Sequence, residues 1–420
     1  MPSTYRFLQL FCQRGDLQNM EGLIFRHYHE KIPTPLHRYV FAWYSLKLSV
    51  QQLENIKRAT ISAQIDSCSH LSPHIVLVIG ESYNKHHSTL YGYRLQTTPM
   101  QQNRLDNGEL YVFHDVVTPW NITSNVFLDL FSMWEYGQSE SIANKPLFPM
   151  LFRRAGYSVN FFSNQYLLKG FRKGATNQTG YFFLTDGEVS DSLFTFRNKT
   201  TSKYDMGLVA QVSDFKNCID QAEYTLDIIH LIGQHFDYSS RYPKAKARFS
   251  VNNYMKRTIS KDAKRIVMHY DNATYYNDMV LDSIISIYER EESIVLFVAD
   301  HGEETYDDLL VHGRLFQEPT APQVRYEFEV PMWIWCSESY RSNHPDIMQR
   351  IKQSLDKPFM TDGLPQLLLC LAGISSKWNK ECRNLLSPYY YCKQRIICGS
   401  TDYNQLVITK SLCEQVRETP

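Results

Sequence analysis

The sequence predicts an α/β fold with a mostly parallel central sheet flanked by helices on both faces. Short apolar, β-branched runs such as "HIVLVIG" (74–80) and "SIVLFVA" (293–299) have the character of strands buried on both sides. Segments of helical period alternate with them, most clearly "YDNATYYNDMVLDSIISIYEREE" (270–292). Several of the apolar runs stop at groups suited to chemistry, and sheets of this class bind ligands beyond the carboxyl ends of their strands.

Residues 1–70 differ from the rest. "PLHRYVFAWYSLKLSVQQLENIKRATISAQI" sets bulky apolar residues on one side of a helical period and Gln, Lys and Arg on the other. It is expected to be an amphipathic helical lead-in, packed on the globular part or lying in part in the plane of a membrane. Pro73 then precedes the strand that ends at Gly80. "PLFPMLFRRAG" follows as a helix with Gly156 as its C-cap, and it feeds the strand within "YSVNFFSN" (157–164). "YTLDIIHLIGQH" (224–235) contains another strand. The helix at 270–292 leads into the strand at 293–299, "EVPMWIWC" (329–336) is one more strand, and "TDGLPQLLLCLAGI" (361–374) is a helix ending near Gly373. Residues 71–420 are expected to form one α/β domain without internal repeats.

Composition excludes some functions. Lys+Arg and Asp+Glu both number 44, so there is no basic surplus of the kind nucleic-acid binders show. Aromatic residues make up 14%, with 28 Tyr, which suits contact with sugars or lipid headgroups. No apolar run reaches the roughly 18 residues of a membrane span. The opening "MPSTYRFLQLFCQRGD" lacks the pattern of a signal peptide. The nine Cys form no C-x-x-C pair, which argues against a zinc ribbon. Cys382, Cys392, Cys398 and Cys413 gather near the C-terminus, where pairing in an oxidising compartment and buried free thiols both stay open.

The candidate chemistry centres on "FVADHGEETYDD" (297–308). A buried strand ends there by presenting Asp300 and His301 side by side, both ligands for a divalent metal, and Gly302 lets the backbone turn. Glu81, in "VIGES", ends the first strand and is a third ligand candidate. "ITSNVFLDLF" (122–131) has the form of a helix start, where backbone N–H groups favour a phosphate. Thr123 there is either a reactive hydroxyl or a simple helix cap, with Ser124 and Thr118 as rival nucleophiles. His230 lies within a strand and is expected in the core. His86 and His87, after "GESYNK", are candidates for lining the cleft, with a purely structural placement left open.

"HIVLVIGESYNKHHSTLYGYRLQTTPM" (74–100), "HLIGQHFDYSSRYP" (230–243), "YDNATYYNDMVLDSIIS" (270–286) and "FVADHGEETYDD" together resemble the catalytic domain of bacterial phosphoethanolamine transferases, most closely the heptose-modifying type. These enzymes have the alkaline phosphatase and sulfatase fold. The resemblance implies a zinc site, of one ion or two, built from Glu81, Thr123, Asp300 and His301, with Thr123 as nucleophile. It implies phosphate-binding roles for His235, in "GQHFDYSSRYP", and for His312, in "VHGR".

The implied reaction takes phosphoethanolamine from phosphatidylethanolamine, carries it on Thr123, and passes it to a lipopolysaccharide or other glycan acceptor. The implied location is the periplasmic face of the bacterial inner membrane, with a membrane surface as partner and no nucleic acid. Family members carry transmembrane helices ahead of the catalytic domain, and residues 1–70 resemble the bridge that follows them. A hydrolase of the same superfamily is an alternative, although the C/S-x-P-x-R motif of sulfatases is missing. A catalytically inactive relative that only binds lipid or sugar is another.

Overall fold

The computed structural model describes Lys47 and residues 50–407, apart from 137, 139, 166–183, 185, 220, 221, 316–318 and 393. Seven strands form the central sheet: β1 (His74–Gly80), β2 (Leu110–Phe113), β3 (Ser158–Ser163), β4 (Phe196–Arg197), β5 (Thr225–His230), β6 (Ser293–Ala299) and β7 (Met332–Cys336). Their order across the sheet is β2-β7-β6-β1-β5-β3-β4. Only β7 runs against its neighbours, pairing antiparallel with both β2 and β6. The expected mostly parallel sheet, with helices on both sides, is therefore the observed one. β1 and β6 lie at its centre, and their apolar runs are buried almost throughout, as strands covered on both faces must be.

The helices that matter for the site are α1 (Pro99–Asp106), α2 (Thr123–Phe131), α3 (Phe148–Arg154), α4 (Asp205–Cys218), α5 (Lys261–Tyr288), α6 (Ala321–Glu327) and α7 (Leu364–Ala372). α5 packs on α1 and α4, and α7 packs on α2. α5 begins nine residues before the periodic stretch that announced it. Ser260 caps it by accepting a hydrogen bond from the Ala263 N–H at 3.1 Å, and Ala263 and Val267 extend the buried stripe between charged neighbours. α7 ends as expected, with Gly373 at φ 72°. Strands β2 and β4 went unannounced: one has four residues and the other two, too few for a period to show.

Of the lead-in, residues 1–46, 48 and 49 lie outside the described residues. Residues 50–61 are helical, and Gln52, Ile56 and Thr60, four apart, are buried. Thr60 Oγ1 accepts a hydrogen bond from the Leu147 N–H at 3.2 Å, and Arg154 of α3 donates to the Ile61 carbonyl at 2.8 Å. This stretch thus packs on the globular part. No helix among the described residues is long and apolar enough to cross a membrane. Cys382 and Cys392 are free thiols, and Cys413 lies outside the described residues.

A buried charged brace ties the loop after β6 to α5 and to the loop after β1. His87 Nδ1 meets Asp271 Oδ1 at 2.5 Å, and its Nε2 faces Asp307 at 3.2 Å and Thr305 Oγ1 at 3.0 Å. The Tyr93 and Tyr254 hydroxyls donate to Asp271 Oδ2 at 2.8 and 2.5 Å. Burial lowers the His87 pKa, but Asp307 and Asp271 outweigh it and lift it to about 10. Burial likewise raises Asp307, but His87 and Arg257 outweigh it and bring it down to about 2.

The brace is therefore ionised across the physiological range. The imidazolium's contribution is complete below its ordinary value of 6.5 and fades as pH rises through about 10. That of Asp307 is complete above 3.8 and fades as pH falls through about 2. Replacing His87 with Ala leaves the buried Asp271 without a cation and Asp307 with Arg257 alone, and the expected loss is about 3–5 kcal/mol in urea unfolding at neutral pH. That loss is expected to shrink toward pH 10. A cost below about 1 kcal/mol at neutral pH would show that the brace does not hold the loop.

Candidate metal centre

The site is set by how two parallel strands stand side by side. Gly80 of β1 pairs with Ala299 of β6, and the Asp300 N–H donates to the Gly80 carbonyl at 3.0 Å. Glu81 and Asp300 therefore leave the sheet together at its carboxyl edge, with His301 next in line. The third component is the start of α2. Ile122 occupies the cap position with no side-chain cap, so the Thr123 hydroxyl is not spent on the helix. It instead donates to Glu81 Oε2 at 3.1 Å and lies 3.0 Å from His301 Nε2. His301 Nε2 is 3.2 Å from Glu81 Oε1 and 3.4 Å from Asp300 Oδ2. All four side chains are buried.

The donor set fits a divalent metal. One ligand atom each from Glu81, Asp300 and His301 lie within 4.8 Å of one another. Asp300 Oδ1 accepts the Ser82 and His301 N–H groups at 3.2 and 2.7 Å, while the buried Oδ2 has no hydrogen-bond partner among the described residues. Such an atom needs a cation or a proton. Burial and the neighbouring Glu81 carboxylate push Asp300 well above the usual carboxylate range. Burial also raises Glu81, but the contact with His301 and the surrounding basic groups outweigh it and hold it well below. Two buried carboxylates this close ionise together only with a cation between them.

His301 Nδ1 faces the Gly302 carbonyl at 2.8 Å. That hydrogen bond assigns the proton to Nδ1 and leaves the Nε2 lone pair aimed into the cluster. Burial, and then the nearby Arg314, lower its pKa and keep the ring neutral, as a ligand must be. The carboxylate and imidazole donors suit zinc.

Glycines make room for this. A Cβ on Gly302 would lie 2.0 Å from the Tyr326 carbonyl oxygen of α6. One on Gly233, at φ 45°, would lie 2.8 Å from the Glu81 carbonyl oxygen.

The other expected residues are distributed more widely. His235 is half-buried, with Nδ1 2.7 Å from the Phe236 carbonyl, and its charge acts on Glu81. His312 lies on the hairpin that pairs Glu304–Thr305 with His312–Gly313, where its Nδ1 meets the Tyr306 hydroxyl at 3.0 Å. It stands outside the metal-ligand cluster. His230 is in the core as expected, bonded to Ser163 Oγ at 3.2 Å and Gln165 Nε2 at 2.9 Å. His87 does not line the cleft, because it is the buried centre of the brace, and His86 pairs with Glu329 at 2.9 Å. Of the rival nucleophiles, Ser124 bonds among the described residues only with the Asn125 side chain, at 3.4 Å. The buried Thr118 hydroxyl has no partner among the described residues.

Two residues of the site were not singled out from sequence. Arg314 Nη1 lies 2.7 Å from His301 Nε2 and 3.3 Å from the Asn121 carbonyl just before α2, while its Nε faces Glu303 at 3.4 Å. Its only signal was its place in "VHGR", two residues after His312. Gln165 donates to Glu81 Oε2 at 2.9 Å and to the Leu231 carbonyl at 2.7 Å. It follows the end of β3, a position that strand-end reasoning covers but that residue type alone did not mark.

The family described as Sulfatase matches residues 73–371. Phosphoethanolamine transferase EptC of Escherichia coli K12 is 26% identical over 339 residues, which is 79% of this chain and 56% of that protein. The Kdo(2)-lipid A phosphoethanolamine 7''-transferase of the same organism is 24% identical over 275 residues, 64% of this chain and 45% of that protein. The chain thus spans about half the length of the curated relatives it matches. Among solved structures, the C-terminal periplasmic domain of E. coli EptC in complex with zinc superposes with a TM-score of 0.70 at 25% identity. It covers 82% of this chain and 96% of that one.

Asp300→Asn is expected to lower zinc affinity by at least on the order of a hundredfold. Metal analysis after dialysis against graded zinc buffers measures this, and an unchanged metal content would remove Asp300 from the ligand set.

Proposed function

We propose that this chain, which belongs to the sulfatase family of the alkaline phosphatase superfamily, transfers phosphoethanolamine from phosphatidylethanolamine to a lipopolysaccharide-type glycan through a covalent adduct on Thr123. The observation that carries this reading is the place of the Thr123 hydroxyl. It opens a helix without capping it and lies between Glu81 and His301. The curated relatives named phosphoethanolamine transferases support the transferred group, and the acceptor class follows the lipid A named for one of them.

Glu81, Thr123, Asp300 and His301 would hold one zinc ion, which when bound acidifies an alcohol and polarises a phosphoryl oxygen. The rest is the work of this chain's own groups. The Thr123 hydrogen points at Glu81 Oε2, so the proton leaves toward a carboxylate and an oxygen lone pair is free for phosphorus. The Oγ1–P bond forms as the bond from phosphorus to the diacylglycerol oxygen breaks, and that oxygen takes up a proton from water as it departs. The start of α2 directs its free N–H groups toward the phosphoryl oxygens. Arg314, held by Glu303, presents guanidinium donors on the same side as His301. His235 and His312 serve the bound phosphate group from the rim. An acceptor hydroxyl then attacks phosphorus as the Oγ1–P bond breaks; Oγ1 takes back the proton held by Glu81, and the acceptor's proton passes to water.

The site works at the periplasmic face of the inner membrane, in keeping with the periplasmic domain it superposes on. Mass spectrometry of the zinc-loaded chain after incubation with phosphatidylethanolamine is expected to show phosphoethanolamine on Thr123. Thr123→Ala is expected to abolish the adduct and Thr123→Ser to retain it; an adduct on Ser124 would refute the assignment. Arg314→Gln is expected to slow adduct formation by roughly 10²–10³-fold at unchanged zinc content. Rapid release of free phosphoethanolamine at the same rate with and without glycan would favour the hydrolase instead.

A further inference from the structure

The charge of this chain is balanced overall and unbalanced in one place. Between residues 241 and 265 there are nine Lys and Arg and one acid, Asp262, in a chain with 44 of each sign. Lys244, Lys246, Arg248, Lys256 and Lys261 are exposed. Large apolar side chains are exposed beside them: Met255 at 63%, Phe236 at 60% and Leu310 at 84%.

These groups are tied to one another and to the metal centre. Arg257 donates to the Tyr306 carbonyl at 2.5 Å and to Asp307 at 3.0 Å, which fixes the basic segment against the hairpin that carries Leu310. Lys264 donates to the Met255 carbonyl at 3.3 Å. The Phe236 ring stacks on His312 with centroids 6.2 Å apart, and Phe236 directly follows His235. Arg241 donates to the Asp237 carbonyl at 3.2 Å.

We propose that this face, formed by residues 236–265 and the tip of the hairpin at 310–311, docks the catalytic centre onto an anionic lipid bilayer. It deepens the transferase reading by naming the surface through which a lipid donor is reached, and its test does not depend on turnover. A soluble anionic glycan would be satisfied by the lysines and arginines alone. It gives no reason to expose Met255 and Leu310, whereas apolar side chains flanked by cations suit the headgroup–acyl boundary. The cations draw the face to anionic headgroups, and the apolar tips enter among the chains.

Co-sedimentation of the whole chain with lipid vesicles tests this. Binding is expected to vesicles of phosphatidylethanolamine with phosphatidylglycerol, to weaken with salt, and to be far weaker when phosphatidylcholine replaces phosphatidylglycerol. The triple variant Lys244→Gln, Lys246→Gln, Arg248→Gln is expected to lower partitioning on the order of a hundredfold. The double variant Met255→Ser, Leu310→Ser is expected to lower it as well. Both should keep the wild-type circular dichroism and wild-type turnover of a water-soluble phosphoethanolamine ester. Equal binding to both kinds of vesicle, or no effect of the triple variant, would overturn the proposal. So would tight binding of heparin combined with vesicle binding unaffected by the double variant, which would mark a site for a soluble polyanion.

Discussion

The candidate centre depends on the register between β1 and β6. Pairing Gly80 with Ala299 brings Glu81 and Asp300 to the same level at the carboxyl edge of the sheet. A slip of one residue would turn every side chain on one strand to the opposite face and separate the two carboxylates. The register is secured by burial, since both strands are apolar and covered on both sides along nearly their whole length. A strong hydrophobic constraint thus fixes a costly polar arrangement: two buried acids, one with an oxygen lacking any hydrogen-bond partner among the described residues. That cost is offset only by a cation or a proton held between them.

The remainder of the motif after β6 supports that edge. Gly302 brings the loop against the α6 backbone so closely that no side chain fits. Glu303 accepts the Tyr238 hydroxyl at 2.5 Å and holds Arg314, and burial lifts its pKa to about 7. Glu304 accepts the Asp307 N–H at 2.5 Å and closes the turn, with burial lifting it to about 8. Asp307 then joins the brace around His87. The acids in "DHGEETYDD" therefore have separate tasks, and only Asp300 points into the ligand cluster. Ser82, at φ 54°, occupies left-handed backbone beside Glu81, and its hydroxyl donates to Glu81 Oε1 at 2.8 Å.

Much of this was legible in the sequence, because strand ends in a parallel sheet are marked by where apolar runs stop. The runs ending at Gly80 and Ala299 and the helix start at Thr123 each carried a local signal, and the fold brought all three together. Features that depend on a distant partner were not legible. His87 follows "GES" closely and looked like a cleft residue, but Asp271 and Asp307 close on it only in the folded chain. Arg314 reaches the centre across a hairpin whose two-residue strands have no detectable period. β2 and β4 were missed for the same lack of length, and the start of α5 because charged residues interrupt its apolar stripe.

The central claim is that Glu81, Thr123, Asp300 and His301 hold one metal ion from three separate segments. X-ray absorption at the zinc edge of the loaded chain tests it most directly. The account predicts a shell of oxygen and nitrogen donors at about 2.0–2.2 Å that includes a single imidazole, altered by Thr123→Ala and lost in Asp300→Asn. A shell containing sulfur, or one indifferent to both substitutions, would contradict it.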